Sequence, residues 1–567
     1  MPRESEFDAD DLSGPRVNRR TAVALLGAAG MGGLAGCASG GGSGGADTTA
    51  DDGDDTAADD GDETTATATP TPEGKTGGRL QAAWFTGSVE ELDPPFISVG
   101  QYFQLASNVF NGLTTLDDDL SIVGDLAEDW TVSDDGTQYT FQLRDDVTFH
   151  NGTEFSADDV EYTIRRTIEE EAPAAAKLSS LQSLDEGGVE VLGDYEVRLN
   201  LTEPNAVLLV YLTRGPGRAA TIVNQEAIEE MGTDQYSVAP VGTGPFQVTE
   251  HEVGSSITLD AHDDYFETDE DGVQLPYLDG IDVQPIGEPA SLVNALRAGD
   301  VQFSNLVPLQ NLDQIESANS VSASRAPGIN WLGVAMNQTR EPFGSRQVRR
   351  GIAKSIDSER FVETAFFGNA LPDVGVISKG TRWAWREDKP QDQAYAPEEG
   401  KQLIEEAGAD GASFAILANS GNLRQAKAIR QQLTEAGFDV EIDQVTSSTY
   451  WDRYADLDYD VTVSGSVGDP DPEQGLWNFY RLPDEGGVWN WVNYQSEEVH
   501  EMLAEQRRTT NRDDRVEILH DIEDQLIADA PHAYLSHEDD IAGVRSEVGG
   551  FTHTPGLRNF HRVFLTE

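Results

Sequence analysis

Period-two alternation of apolar and polar residues runs through "LAEDWTVSDDGTQYTFQLRDDVTFHNGTEFSADDVEYTIRRT". There Trp130 to Val132 and Tyr139 to Leu143 flank Asp134-Asp135-Gly136. Alternation on both sides of an Asp-Gly turn predicts a β-hairpin. A helix is predicted next, because Val160 and Ile164 recur at helical spacing behind Ser156, with Asp158 and Asp159 in the first turn. Serine caps the free N–H groups there, and carboxylates suit the positive end of the helix dipole. Upstream, "GRLQAAWFTGSVEELDPPF" reads as one strand, beginning near Gly78, that leads into a loop at Asp93-Pro94-Pro95.

The second half has a different rhythm. "SFAILAN" (Ser413 to Asn419) is followed by Ala426, Ile429, Leu433 and Ala436 on one helical face, then by Gly437 and "FDVEIDQV". Strand, helix, glycine stop and strand predict a crossover between parallel strands, right-handed by the usual rule. Another apolar alternation, Tyr459 to Gly465, runs into "SVGDPDPEQGLW". Ligands of open α/β sheets sit outside the carboxyl ends of strands, so Asp469, Asp471 and Trp477 are expected beside a cleft. Finally Val516, Leu519, Ile522, Leu526 and Ile527 form a helical stripe before Pro531, after which the chain is expected to return to its first lobe.

Length adds that 567 residues with 38% hydrophobic content exceed one ordinary core, so more than one lobe is expected. A single cysteine forbids an internal disulfide and a Cys-rich zinc site. The net charge of -64 repels the phosphate backbone and excludes nucleic acid as a partner. Seven lysines against thirty-one arginines, on a carboxylate-rich chain, fit a surface that works in high salt, where self-repulsion is screened.

The lone thiol closes the stretch "RRTAVALLGAAGMGGLAGC". Thr21 to Gly36 carries no charge, yet its sixteen residues fall short of the roughly 20 that span a bilayer. It reads as the apolar region of an export signal. Arg19 and Arg20 before it resemble a twin-arginine address, and Leu34-Ala35-Gly36-Cys37 resembles a lipobox whose cysteine becomes a lipid anchor. Residues 38–77, Gly/Ser-rich and then acidic and Thr-rich, are expected to form a charged tether without a core.

Six collinear segments from about Gly78 onward resemble the family 5 solute-binding proteins of ATP-binding-cassette importers, the dipeptide and oligopeptide receptors. They are the hairpin-and-helix segment above, "PVGTGPFQV", "PYLDGIDVQPIGEPASLVNALRAGDVQF", "SRQVRRGIAKSIDSERFVETAFFGNA", "YAPEEGKQLIEEAG" and "DYDVTVSGSVGDPDP". The resemblance implies an α/β, two-lobed class II periplasmic-binding-protein fold with an extra subdomain in lobe I, closing over its ligand. Mapped onto this chain, lobe I takes 78–111, 238–325 and 530–567, the extra subdomain 112–237 and lobe II 326–529, after a signal peptide 1–37 and the linker 38–77.

The resemblance also implies an aspartate, just after the strand Tyr459 to Gly465, that pairs with the α-ammonium of a peptide. Asp469 matches it best, with Asp471 as the alternative. Many relatives carry a tryptophan three residues earlier, where this chain has Ser466, which leaves the peptide specificity open. Trp84, Trp331, Trp477, Trp489 and Trp491 are further candidates for lining an adaptable cleft, each weighed against a plain core role.

The expected protein is a monomeric receptor, without catalysis or cofactor, anchored by lipid on the outer face of the membrane. It delivers a small peptide-like solute to the importer's permease and ATPase subunits. The alternatives are another solute, such as a sugar, an opine or a nickel chelate, or an exported glycoside hydrolase with two carboxylates across its cleft. For the chelate, His520, His532, His537, His553 and His561 supply imidazoles, though at no standard metal spacing. Three sequons, at Asn151, Asn200 and Asn337, would suit an extracytoplasmic chain.

Overall fold

A computed structural model describes residues 76–215, 217–482 and 487–566. Arg19, Arg20, Cys37 and the linker through residue 75 lie outside the described residues. Among those described, no helix is long and apolar enough to cross a membrane.

Two large sheets organise the chain. The first has seven strands in the order Val321–Ala326, Asp540–Arg545, Phe303–Ser304, Arg79–Trp84, Gly280–Pro285, Ser256–Ala261 and Phe246–Glu252. The second has six: Ala370–Pro372, His532–Glu538, Trp331–Met336, Val461–Ser466, Ser413–Ala418 and Asp439–Gln444. Every residue of Trp331–Met336 is buried, as expected of a central strand covered on both faces. The crossover predicted around Gly437 is present: Ser413–Ala418 and Asp439–Gln444 pair in parallel, with the helix Leu423–Glu435 between them.

A four-stranded antiparallel sheet, Ala127–Val132, Gln138–Leu143, Glu196–Asn200 and Val189–Gly193, carries the predicted hairpin. Behind it packs the helix Ala157–Glu169. At its start the Asp159 carboxylate accepts a hydrogen bond from the Ser156 backbone N–H at 2.9 Å. This sheet encloses its own apolar cluster, which includes Phe141, Phe149, Phe155 and Leu199.

The return to the first lobe occurs later than the sequence pattern suggests. The helix Arg512–Asp529 does end before Pro531, but His532–Glu538 then joins the second sheet, antiparallel to Trp331–Met336. Only beyond Asp539 does the chain enter the first sheet, as Asp540–Arg545. Strand pairing decides this, because His532–Glu538 supplies the edge that Trp331–Met336 needs opposite Val461–Ser466. The two sheets are therefore linked by residues 327–330 and by Asp539. Asn330 ties the crossings together: its Oδ1 accepts from Glu538 N at 2.7 Å and its Nδ2 donates to Glu538 O at 2.9 Å.

Two sequons are spent on packing. Asn337 is fully buried and donates to the carbonyls of Leu457 and Tyr459, and buried Asn200 donates to Gly187 O. Neither offers its amide to a glycosylating enzyme.

Candidate functional site

The strand Val461–Ser466 ends at the crossing 327–330, and the acidic loop turns there. Gly468 has φ +93°, and a Cβ at this position would sit 2.3 Å from Ile329 O. Only glycine combines that backbone angle with so close an approach. The loop is thus pinned against the hinge before it presents Asp469 and Asp471, and the helix Glu473–Tyr480 follows.

The two aspartates have different fates. Asp471 is buried and receives both terminal nitrogens of Arg515, each at 2.6 Å, while its Oδ1 also accepts from Glu473 N at 2.9 Å. A bidentate guanidinium pair of this kind engages both carboxylate oxygens and neutralises the charge. Asp471, the alternative ligand carboxylate expected from the sequence, is thus engaged in joining the loop to the helix Arg512–Asp529. Asp469 is half-buried, and among the described residues it accepts no hydrogen bond and makes no contact ion pair. Burial pushes its carboxyl up to about 6, against the downward pull of Lys177 and Arg218.

Those two cations belong to the segment that contains the four-stranded sheet. Lys177 Nζ donates to Gln474 Oε1 at 3.0 Å and lies 4.7 Å from the centre of the Tyr211 ring. Burial lowers the lysine to about 8. Arg218 donates to Ile97 O at 2.8 Å, and its guanidinium lies 4.0 Å from the Phe103 ring centre. Burial lowers it to about 10. Beside them, the fully buried Glu473 accepts from the Tyr211 hydroxyl at 2.6 Å and pairs with Arg507 at 3.0 Å. Ala206 N donates to Arg507 O at 2.7 Å, and Arg508 pairs with Glu203 at 2.9 Å. Residues 177–211 thus reach across to residues 473–508, and Asp469 lies at that junction.

The tryptophans divide as well. Trp84 is fully buried, donates its indole N–H to Gln101 O at 2.7 Å and packs against Phe303 and Phe560; it is core of the first lobe, not cleft lining. Trp331 is also core, enclosed by Phe479, Tyr480, His532 and Tyr534. In both cases the ring continues a buried strand face, which sequence spacing does not separate from a cleft face. Trp477 is half-buried, with the guanidiniums of Arg507 and Arg481 at 4.0 and 4.8 Å from its ring centre. Trp489 and Trp491 border a cavity shared with Tyr450, Trp451, Tyr454 and Phe479. Its free space of about 20 Å³ is room for no more than a single water, too little for a peptide. The Trp489 indole N–H is buried with no partner among the described residues.

The five histidines do not converge. His520 contacts Ala384 O, His532 the Tyr480 hydroxyl, His537 the Asp373 carboxylate, His553 Ser324 and Asp540, and His561 Glu267. Among the described residues no group of three or more His, Cys, Asp or Glu is placed to hold a metal ion.

Two large sheets joined by two crossings, with an acidic loop at the hinge and residues 177–211 of the added segment reaching the helix that follows it, define a two-lobed class II solute-binding fold. The profile of the family described as bacterial extracellular solute-binding proteins, family 5, middle region, matches residues 121–487. The chain belongs to that family. It is 24% identical over 493 residues to the glutathione-binding protein GsiB of Pectobacterium atrosepticum, covering 84% of this chain and 92% of the relative. It is 25% identical over 507 residues to the dipeptide-binding protein of Escherichia coli, covering 84% and 93%. Among solved structures, the periplasmic binding protein DppA of Helicobacter pylori, in complex with the peptide STSA, superposes with a TM-score of 0.73 at 23% identity, covering 87% of this chain and 99% of that one.

Sequence reasoning missed Lys177, Arg218, Tyr211, Glu473 and Arg507. Lys177 stood out only as one of seven lysines, and Arg218 only as the end of the Gly/Pro-rich run "RGPGR".

Proposed function

We propose that this protein is the solute receptor of an ATP-binding-cassette importer and that it captures short peptides between its lobes. The observation that carries the reading is Asp469, a half-buried carboxylate without a hydrogen-bond partner at the junction of the lobes. Lys177 and Arg218 act on this carboxylate without donating to it, and the α-ammonium of a peptide supplies the hydrogen-bond donors it lacks together with a charge. The names of the GsiB and dipeptide-binding relatives support a peptide-like ligand. Closure sequesters the solute by bringing residues 177–211 against the helix Glu473–Tyr480.

Export by Arg19 and Arg20, and anchoring through a lipid on Cys37, complete the proposal. They place the receptor on the outer face of the membrane, where a long charged tether lets it sample the medium and meet the permease and ATPase subunits. It works as a monomer, consistent with one binding site between the lobes of one chain.

The test is mass spectrometry of the small molecules released when the full chain, purified from its native membranes in high salt, is denatured. Short peptides are the expected result. A sugar or a metal chelate would overturn the peptide reading, and turnover of a glycoside or peptide substrate would overturn the receptor reading.

A further inference from the structure

Of the three sequons, the fold leaves one at the surface. Asn200 ends the strand Glu196–Asn200 and Asn337 follows the strand Trp331–Met336, and both side chains are buried in hydrogen bonds to backbone carbonyls. Asn151, Gly152 and Thr153 instead form the tip of a tight turn, with Asn151 and Gly152 exposed. Backbone bonds close the turn: Phe149 N donates to Thr153 O at 2.8 Å, and Gly152 N donates to Phe149 O at 2.7 Å. Gly152 supplies the left-handed conformation required, with φ +82°, and a Cβ built there would meet no atom within 4 Å. The middle of the motif therefore borders open solvent.

The side chains of the motif are held in place as well. Asn151 Oδ1 accepts from Thr153 N at 3.2 Å and from the Thr153 hydroxyl at 2.8 Å. Asn151 Nδ2 donates to Asn224 Oδ1 at 3.1 Å, and Asn224 Nδ2 donates to Thr153 Oγ1 at 2.9 Å. Asn224 is itself fixed, because it caps the helix Gln225–Met231 by accepting from Ala227 N at 2.8 Å. An amide nitrogen carries two hydrogens, so Asn151 keeps its bond to Asn224 when the other hydrogen is replaced.

We propose that Asn151 is a glycosylation site, modified on the folded chain by an enzyme outside the membrane. The co-substrate is a lipid-linked glycosyl phosphate. In the transfer a bond forms between Asn151 Nδ2 and the anomeric carbon of the sugar, and the bond from that carbon to the phosphate oxygen breaks, leaving its electron pair on the phosphate. One amide proton passes to a base of the enzyme and then to water. The inference rests on the proposed export of the chain, not on the identity of the solute. A twin-arginine route passes chains that are already folded, so the enzyme meets only the native surface and the two buried sequons stay unmodified. The turn lies outside the contacts that join residues 177–211 to residues 473–508, so a sugar there leaves the cleft unobstructed.

The test is peptide mass spectrometry of the full chain recovered from the membranes and medium of its native host, with the cytosolic fraction run in parallel. The peptide containing Asn151 should be heavier by one or more sugar residues, with fragmentation placing the addition on that asparagine. Peptides containing Asn200 and Asn337 should have their unmodified masses. Thr153→Val should abolish the addition and Thr153→Ser should retain it, with thermal melting reporting that each variant is folded. Unmodified Asn151 in the exported protein would overturn the site while leaving the receptor reading intact, and an addition that survives Thr153→Val would overturn recognition through the motif. Sugar on Asn200 or Asn337 would overturn selection by native exposure. A chain confined to the cytosol would overturn the export reading and this site with it.

Discussion

Asp469→Asn keeps the shape of the side chain and removes its charge, which makes it the sharpest test of the site. In the ligand-free protein burial holds the Asp469 carboxyl at about 6. A cationic ligand binds the ionised form, so a proton competes with it below that value. Between pH 7 and pH 5 the ionised fraction falls by about 10-fold, and the apparent Kd of a peptide without a titrating side chain should rise by the same factor. At pH 7 the asparagine variant loses a charge-assisted pair, a change of about 2 to 5 kcal/mol, or roughly 30- to 4000-fold in Kd. Its Kd should also be flat from pH 5 to 7.

Folding stability moves in the opposite sense. The unfolded carboxyl titrates near 3.9 and the folded one near 6, so the native state binds more protons in that window and loses stability as pH rises through it. The asparagine variant should lack that slope. Isothermal titration calorimetry at several pH values, with urea unfolding alongside, reads both effects. Wild-type affinity in Asp469→Asn at pH 7, or an unchanged pH dependence of its Kd, would refute the assignment of Asp469 to the ligand's ammonium.

Two other outcomes follow from the same structure, and a third from the sequence motif at Cys37. Arg515→Met strands the buried carboxylate of Asp471 and should lower stability by about 3 to 5 kcal/mol in urea unfolding; a loss under 1 kcal/mol would mean the pair is not buried in solution. Gly468→Ala places a Cβ 2.3 Å from Ile329 O at φ +93° and should cost more than about 1 kcal/mol while weakening ligand binding, so wild-type melting and affinity would exclude the tight turn. Cys37→Ser should release the protein into the culture medium, and continued recovery with membranes on fractionation would exclude a lipid anchor on that residue.

Local elements of this fold were legible in the residue pattern because their causes are local. The Asp-Gly turn at 134–136, the carboxylates behind Ser156 and the helix stop at Gly437 act within a few residues of themselves, and each produced the element it predicts. The acidic loop at the carboxyl end of Val461–Ser466 was also visible, since strand polarity places such loops beside the cleft. Strand pairing was not visible. Whether His532–Glu538 joins the first or the second sheet depends on which edge is open to it, a property of residues two hundred positions away.

The same distinction governs the site. Sequence offered Asp469 first and Asp471 as its alternative, and the position of Arg515 on a later helix separates the carboxylate that is paired from the one that is not. It offered five tryptophans, of which the structure buries Trp84, Trp331 and Trp491, and a ring on a strand face looks alike in sequence whether a core or a cleft lies opposite. Lys177 and Arg218 carry no motif at all. Composition and pattern thus determined the α/β class, the local elements and the acidic loop. Tertiary structure alone decided which charges meet, since an electrostatic interaction depends on distance through space and not on separation along the chain.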